Sequence, residues 1–301
     1  MDLSETRALI AVPIALLAAA GIAAAGSAGG AAIRGIPVFT VCVILAFLVN
    51  WVAFIPATIR RTEKFYDITG TITYLLTITA AVVLSPEIDA RSLLLLGLVA
   101  AWSIRLGTFL FNRIHKAGED RRFREIKHSW PRFLLAWTLQ GLWVTFSLAA
   151  ALAAITTNLR APLGPIAYIG LATWLFGFGF EVVADRQKSA FNADPENEGR
   201  FIETGLWSWS RHPNYFGEIV LWIGIAVIAA PVLRGWGWLT LISPVFITLL
   251  LTRISGINML EARAHEKWGG QARYEAYKAR TPVLVPRPPG NSHTPGDAHL
   301  L

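Results

Sequence analysis

The sequence is poor in charge and in cysteine. Only 16% of its 301 residues are charged and 54% are hydrophobic, whereas roughly a quarter of the residues are charged in soluble domains. A lone cysteine, Cys42, excludes an intrachain disulfide and a cysteine-based metal cluster. The chain also lacks a P-loop, an HExxH helix, a GxSxG turn and a GxGxxG turn after a strand, which excludes the enzyme classes that these motifs mark. What remains is the composition of a polytopic membrane protein.

Runs of about 20 apolar residues, the length that crosses a bilayer core, recur along almost the whole chain. They predict an all-α fold, a polytopic membrane bundle of eight transmembrane helices. The predicted spans are residues 8–28, 36–57, 68–85, 92–112, 133–155, 163–184, 215–232 and 236–257. Residues 288–301 are rich in Pro, Gly and small polar side chains and predict a disordered tail.

Lysine and arginine alternate in density from loop to loop. The loops 58–67, 113–132 and 186–214 and the segment after residue 257 hold three, seven, four and six of them, whereas each intervening loop holds one. Because cytoplasmic loops collect positive charge, both termini are predicted to be cytoplasmic. The net charge of +7 then reflects topology and contact with membrane lipids, and no basic module predicts nucleic-acid binding. A cleaved signal peptide is the alternative for the first span, although its acidic start, MDLSETR, disfavours it.

Charged residues within or at the ends of the spans are candidates for function, because each costs roughly 2.5 to 3.5 kcal/mol to insert. The set comprises Arg105, Glu181, Asp185, Lys188, Glu218 and Arg253. Glu181, Asp185 and Lys188 have the spacing i, i+4, i+7 and share one helix face. A purely structural ion pair that anchors the helix is the alternative.

The stretch WSRHPNYFGE, residues 209–218, concentrates hydrogen-bonding groups at the start of the seventh span. Pro213 suits a first helical turn, so Asn214 and Glu218 are predicted to lie on one face. Arg200, Arg211 and His212 approach the same helix start, where free N–H groups and the helix dipole favour phosphate. A capping turn that contacts lipid phosphates is the alternative.

The segment after the last span, NMLEARAHEKWGGQARYEAYKART, is amphipathic and basic. It carries Glu261, Arg263, His265, Arg273, Tyr274, Tyr277 and Arg280. Such a segment either lies on lipid headgroups or covers a polar cavity. Its histidine and the others outside the spans match no metal-ligand spacing, so no metal site is predicted.

The second half of the chain resembles the membrane-embedded steroid 5α-reductase family, and more closely its bacterial branch of uncharacterised members. The motifs that carry the resemblance are EVVADRQKSAFN and GRFIETGLWSWSRHPNYFGEIVLWIG, supported by LQG at 139–141 and by YEAYKARTPVLVP. Isoprenylcysteine and phospholipid methyltransferases carry a similar Arg-His-Pro turn, which relates the two membrane folds. The resemblance implies an integral protein of a bacterial inner membrane, with an N-terminal helix in residues 1–32 and a seven-helix reductase-like domain in residues 33–287.

The resemblance also implies NADPH in a polar cavity and a lipophilic substrate that enters from the bilayer. Residues expected near the cofactor are Arg105, Glu181, Asp185, Asn192, Arg200, Arg211, His212, Asn214, Tyr215, Glu218, His265, Tyr277 and Arg280. Of these, Asn214 and Glu218 occupy the asparagine-glutamate motif beside the nicotinamide, and Glu218 is therefore also a candidate catalytic residue. Glu181 replaces an asparagine that is common in the animal enzymes.

One position departs from the family. The steroid enzymes place a tyrosine three residues before the arginine matched by Arg105, and here that position is Trp102, which has no phenolic proton. The steroid enzymes use that tyrosine together with a glutamate on the preceding helix to polarise the substrate carbonyl. In this chain, Asp67 or Glu63 is predicted to replace the glutamate, and Tyr66 or Tyr74 to supply the phenol. The leading candidates for the acid are Asp67 and Tyr66.

These observations predict an NADPH-dependent reductase of a carbon–carbon double bond conjugated to a carbonyl, acting on a steroid-like or isoprenoid-like lipid. A buried proton donor would stabilise the enolate oxygen as charge develops. The alternatives are a membrane methyltransferase that uses S-adenosylmethionine and a lipid-binding protein that has lost catalysis.

Overall fold

The computed structural model describes residues 3–117 and 120–289, and this part of the chain is predominantly helical. Its α-helices are α1 (Leu3–Gly26), α2 (Val38–Arg60), α3 (Tyr66–Leu84), α4 (Ala90–Ala117), α5 (Trp130–Thr156), α6 (Pro165–Ala193), α7 (Pro213–Ala229), α8 (Ile242–Leu249), α9 (Ile257–Trp268) and α10 (Ala272–Arg280). The only strands among the described residues, β1 (Ala32–Ile33) and β2 (Ile36–Pro37), form an antiparallel hairpin. Eight helical segments of this part are long and apolar enough to cross a membrane, which confirms the predicted all-α bundle.

The predicted spans match these segments closely, with two differences. Helix α6 continues beyond the predicted end of its span to Ala193, so the polar sequence DRQKSAFN is also helical. The predicted eighth span is not one regular helix: a 3₁₀ segment, Gly235–Leu241, precedes α8, and a π-helical turn, Leu250–Ile254, follows it. The partition at residue 32 stays a prediction. The predicted tail, apart from residues 288 and 289, lies outside the described residues.

The chain divides into two compact units. The first comprises Met1–Ala172 and Trp222–Phe246, and the second comprises Thr173–Leu221 and Ile247–Leu301. The boundaries fall within α6, α7 and α8.

Helix α5 forms the core of the first unit, where it packs against α1, α2 and α3. Its residues 149–154 are buried on every side, because five of the six are alanines, whose small side chains let neighbouring helices approach closely. Polar groups in this core bond to one another: the Asn50 amide donates to the Ala46 carbonyl on α2 at 2.8 Å and to the Thr73 hydroxyl on α3 at 3.2 Å. The buried amide is thus bonded both within α2 and between α2 and α3.

In the second unit, the parts of α6 and α7 that belong to it cross at two glycines. A Cβ atom on Gly177 would lie 2.5 Å from the Leu221 nitrogen, and one on Gly217 would lie 2.6 Å from the Gly177 oxygen. Only glycine permits such an approach of two helix backbones. The crossing fixes which side chains of α6 and α7 face each other.

Candidate functional site

The crossing of α6 and α7 places a buried polar group in the second unit. Glu181 and Asp185 lie one turn apart on α6, and Asn214 and Glu218 lie one turn apart on α7. Their three carboxylates are no more than 7% exposed. The Asn214 amide donates to Asp185 Oδ1 at 3.2 Å, so the partner of Asn214 lies on the neighbouring helix. Carboxylate and amide together can recognise a ligand that both donates and accepts hydrogen bonds, such as a carboxamide.

A short 3₁₀ turn, Gly205–Ser208, precedes α7 in the chain and is hydrogen-bonded to α6. The Leu206 N–H donates to Gln187 Oε1 at 2.9 Å, and Trp207 Nε1 donates to the Ala184 carbonyl at 3.0 Å. Gly205 has a positive φ of 59°, and a Cβ atom there would lie 2.6 Å from the Gln187 side chain. The turn therefore positions the start of α7 against α6.

The chain after α10 holds the same region from the other direction. The Arg211 N–H donates to the Pro282 carbonyl at 2.9 Å, and Ser210 Oγ donates to the Leu284 carbonyl at 2.8 Å. Tyr277 Oη donates to the Trp207 carbonyl at 2.7 Å. Residues 207–211 are thus fixed by α6 and by the C-terminal segment together.

A cavity of about 280 Å³ opens between these elements within the second unit. One part of its wall is aromatic. The rings there are Phe201, Trp207, Trp268, Tyr274 and Tyr277. Phe201 lies 5.3 to 5.7 Å from the rings of Trp268, Tyr274 and Tyr277. Burial raises the pKa of Tyr274 and the pKa of Tyr277 above their usual value, so both phenols stay neutral. A wall of this kind suits a planar ring.

The other part of the wall is basic. It carries the cations Lys188, Arg211, Arg263 and Lys267 together with His212. Glu261 is the carboxylate in the lining, and it joins Arg211 Nη1 at 2.6 Å to His212 Nε2 at 2.8 Å. Burial lowers the pKa of His212, although the bond to Glu261 opposes the shift. A neutral His212 that donates from Nε2 leaves the cavity with an excess of positive charge.

The structure gathers most of the predicted cofactor residues of the second unit. Asn192, Arg211, His212 and Tyr277 line the cavity. The neighbouring polar group contains the buried Glu181, Asp185 and Glu218 and the partly buried Asn214. Tyr215 stacks on the His212 ring with centroids 5.7 Å apart.

Three predicted residues lie elsewhere in the second unit. Arg200 and His265 are exposed and do not line the cavity. Arg280 forms an ion pair with Glu203, which also binds Arg273, so its contact within the described residues is structural.

Sequence reasoning predicted Tyr277 but missed Glu261 as a site residue, along with Phe201, Trp207, Trp268 and Tyr274 of the aromatic wall. Glu261 was visible only as one charge on an amphipathic helix. Its pairing with Arg211 and His212 depends on the tertiary packing of α9 against the residues before α7, which no local sequence pattern predicts.

The predicted acids belong to the first unit. Tyr66 donates its hydroxyl hydrogen to the Ala136 carbonyl at 2.9 Å and packs against Phe123 and Trp137. Asp67 Oδ1 lies 3.8 Å from the Arg122 guanidinium. Burial lowers the pKa of Arg122, but the hydrogen bond to Asp120 and the charges of Asp120 and Asp67 together outweigh burial and raise it, so this guanidinium remains charged.

The other first-unit candidates have structural contacts as well. Glu63 is 4% exposed and binds Lys127 Nζ at 3.0 Å. Tyr74 Oη lies 2.6 Å from Ser147 Oγ, and the Trp102 ring packs edge-on against the Tyr74 ring. Arg105 lies over the Phe109 ring, 5.4 Å from its centroid.

Across residues 3–117 and 120–289, no group of three or more His, Cys, Asp or Glu side chains is arranged to hold a metal ion.

Comparison with known proteins gives a family and two relatives. The family described as "Protein of unknown function (DUF1295)" matches residues 53–281. An uncharacterized protein of Schizosaccharomyces pombe is 27% identical over 194 residues, which cover 52% of this chain and 55% of that protein. The 3-oxo-5-alpha-steroid 4-dehydrogenase 1 of Rattus norvegicus is 27% identical over 123 residues, which cover 40% of this chain and 42% of the rat protein. The chain therefore spans about half the length of the curated relatives it matches. No solved structure matches it.

Proposed function

The chain belongs to the DUF1295 family, and we propose that it is a membrane-embedded reductase. It uses NADPH to reduce a carbon–carbon double bond conjugated to a carbonyl in a lipophilic, steroid-like or isoprenoid-like substrate. The similarity to the rat steroid dehydrogenase supports the reaction class. The observation that carries the proposal is the aromatic and basic cavity beside the partly buried Asp185–Asn214 pair.

The residues of the second unit fit a dinucleotide. The cavity of about 280 Å³ is at the small end of ligand sites, so it suits the adenosine part of the molecule. Phe201 and Trp268 offer rings for the base, and Lys188 offers charge for phosphate. Arg211 Nε is buried without a partner among the described residues, which leaves one donor for a ligand.

The polar group on α6 and α7 fits the other end of the dinucleotide. His212 lines the cavity two residues before Asn214, and Lys188 lines it one turn after Asp185. Asn214, Asp185 and Glu218 would hold the carboxamide of the nicotinamide and orient its ring. NADPH, when bound, supplies a hydride to the β-carbon of the substrate.

The chain's own task in the reaction is to hold a proton donor for the developing enolate oxygen. We propose Asp67 or Tyr66 as this donor: Asp67 can donate only when it is protonated, which the charged Arg122 guanidinium at 3.8 Å opposes, and the Tyr66 hydroxyl hydrogen is already bonded to the Ala136 carbonyl. Trp102 occupies the position of the tyrosine that the steroid enzymes use, and it is 2% exposed. We therefore propose a conjugated lipid substrate without restricting it to 3-oxo steroids.

The proposed location is a bacterial inner membrane with both termini in the cytoplasm. The eight apolar helices support insertion, and the alternating charge of the loops supports the orientation. The substrate would then enter from the bilayer.

Anaerobic titration of the purified protein in lipid nanodiscs tests the proposal. NADPH should bind and protect the protein against heat, and reduced nicotinamide should be consumed when a lipid-soluble enone such as a 3-oxo-4-ene steroid is added. S-adenosylmethionine should neither bind nor compete. Binding of S-adenosylmethionine without binding of NADPH would replace the reductase with a methyltransferase. Binding of neither would leave a lipid-binding protein.

A further inference from the structure

Helix α9 presents two cations to the cavity on one face. Arg263 and Lys267 are four positions apart (i, i+4), so their side chains lie on neighbouring turns of the same helix face, and both line the cavity. Lys267 Nζ lies over the Trp268 ring, 4.7 Å from its centroid. Within the described residues neither side chain forms an ion pair, and both are exposed. Their positive charge is directed at the cavity without a protein carboxylate to balance it.

The other charged groups of the lining are used differently. Glu261 balances the charge of Arg211 and accepts the hydrogen of His212. Lys188 Nζ lies 4.4 Å from the centroid of the Trp207 ring. The charge of Arg211 is therefore compensated before any ligand arrives, whereas Arg263 and Lys267 need an anion from outside the protein.

A phosphate monoester meets that need. At neutral pH it carries between one and two negative charges and three acceptor oxygens, so it can bind an arginine and a lysine at once. A phosphate diester carries one charge and fewer free oxygens. NADPH differs from NADH by one phosphate monoester, on the 2′ oxygen of the adenosine ribose.

We infer that Arg263 and Lys267 bind the 2′-phosphate and make the protein select NADPH over NADH. The inference rests on the proposed function, because it needs a dinucleotide with its adenosine end in this cavity. It assigns the selectivity to α9 and not to Arg200, which does not line the cavity.

The test is a comparison of dissociation constants for NADPH and NADH in nanodiscs. The variants are Arg263→Gln, Lys267→Gln and the double substitution. Arg186→Gln is the matched control, since Arg186 is exposed on α6 and does not line the cavity. Each single variant should raise the dissociation constant of NADPH roughly tenfold, as expected for the loss of one hydrogen bond to a charged group, and leave the dissociation constant of NADH unchanged. Arg186→Gln should change neither constant.

Ionic strength gives a second measurement that does not depend on mutation. Because Arg263 and Lys267 are exposed, added salt should lower the affinity for NADPH more steeply than the affinity for NADH in the wild type. In the double variant, the two affinities should depend equally on salt concentration. The ligand 2′,5′-ADP should compete with NADPH in the wild type and lose most of its affinity in the double variant.

Several results would overturn the inference. Equal loss of NADPH and NADH affinity in the variants would mean that Arg263 and Lys267 do not read the 2′-phosphate. Wild-type protein that binds NADPH and NADH equally would remove the selectivity while leaving the proposed reductase intact. Wild-type protein that binds neither nucleotide would overturn the proposed function and the inference together.

Discussion

Both units bury carboxylates, but they balance them in different ways. In the first unit, Glu63 binds Lys127 at 3.0 Å and accepts the Asp120 N–H at 3.2 Å, so an adjoining loop neutralises it. In the second unit, the partly exposed Glu261 holds Arg211 and His212 at the wall of a cavity. The difference separates two uses of a paired carboxylate. A carboxylate enclosed by its own loop stabilises the fold, whereas one at a cavity wall arranges groups for a ligand.

Among the substitutions that test this comparison, Glu63→Gln is expected to have the largest effect on the free energy of unfolding. The substitution leaves the largely buried Lys127 without its counter-charge, and breaking such a pair costs roughly 3 kcal/mol. Glu87→Gln is the control, because its carboxylate is 70% exposed and lies 4.0 Å from Arg160. Unfolding by denaturant in detergent should show a large decrease in the free energy of unfolding for Glu63→Gln and almost none for Glu87→Gln. Equal stability of the two variants would mean that the Glu63 pair adds nothing to the fold.

Gly177→Ala tests the crossing that assembles the second unit. The added methyl group would meet the backbone of α7, so we expect a loss of about 2 kcal/mol in the free energy of unfolding. Gly179 lies on the same helix with open space around it, and Gly179→Ala should be neutral or slightly stabilising. The measurement is thermal unfolding of both variants. A normal melting temperature for Gly177→Ala would show that the helices do not need this close approach.

Asn214→Ala removes the amide that binds Asp185. We expect NADPH affinity to fall about tenfold, because this amide is proposed to contact the nicotinamide carboxamide and also holds Asp185 in place. Asn258→Ala serves as the control, since Asn258 is exposed on α9 and bonds only to the nearby Arg253 carbonyl among the described residues. Undiminished affinity in Asn214→Ala, measured by calorimetry, would mean that Asn214 does not help to hold the cofactor.

The smallest effect concerns pH and His212. Because burial lowers its pKa, the unfolded chain takes up a proton first as the pH falls below about 6.5. The free energy of unfolding should therefore decrease from pH 7.5 to pH 5.5, by at most about 1.4 kcal/mol per pH unit for one proton. Glu261, Arg211 and Lys188 are the charged groups that act on the imidazole. His212→Asn should flatten this part of the pH profile, and an unchanged profile would contradict the assignment.

The sequence predicted the membrane segments well because their signal is local. Apolar runs of spanning length mark a helix wherever they occur, and the observed boundaries lie within a few residues of the predicted ones for most spans. The irregular turn at Leu250–Ile254 was not predicted, since a π-helical turn leaves no compositional mark.

The candidate site was predicted less completely, for a physical reason. Asp185 and Asn214 stood out because polar side chains in membrane helices are costly. Phe201 and Trp268 did not stand out, because aromatic residues beside a span are usual at a membrane surface. Their shared wall exists only once α9 and α10 return to the turn before α7.

The central claim is that the cavity of the second unit binds NADPH, and filling the cavity tests it most directly. Ala264 lines the cavity, whereas Ala262 is exposed on the same helix and does not line it. The measurement is the dissociation constant of NADPH for Ala264→Trp and Ala262→Trp in nanodiscs. The account predicts that Ala264→Trp abolishes binding while Ala262→Trp binds like the wild type. NADPH binding of normal affinity in Ala264→Trp would contradict it.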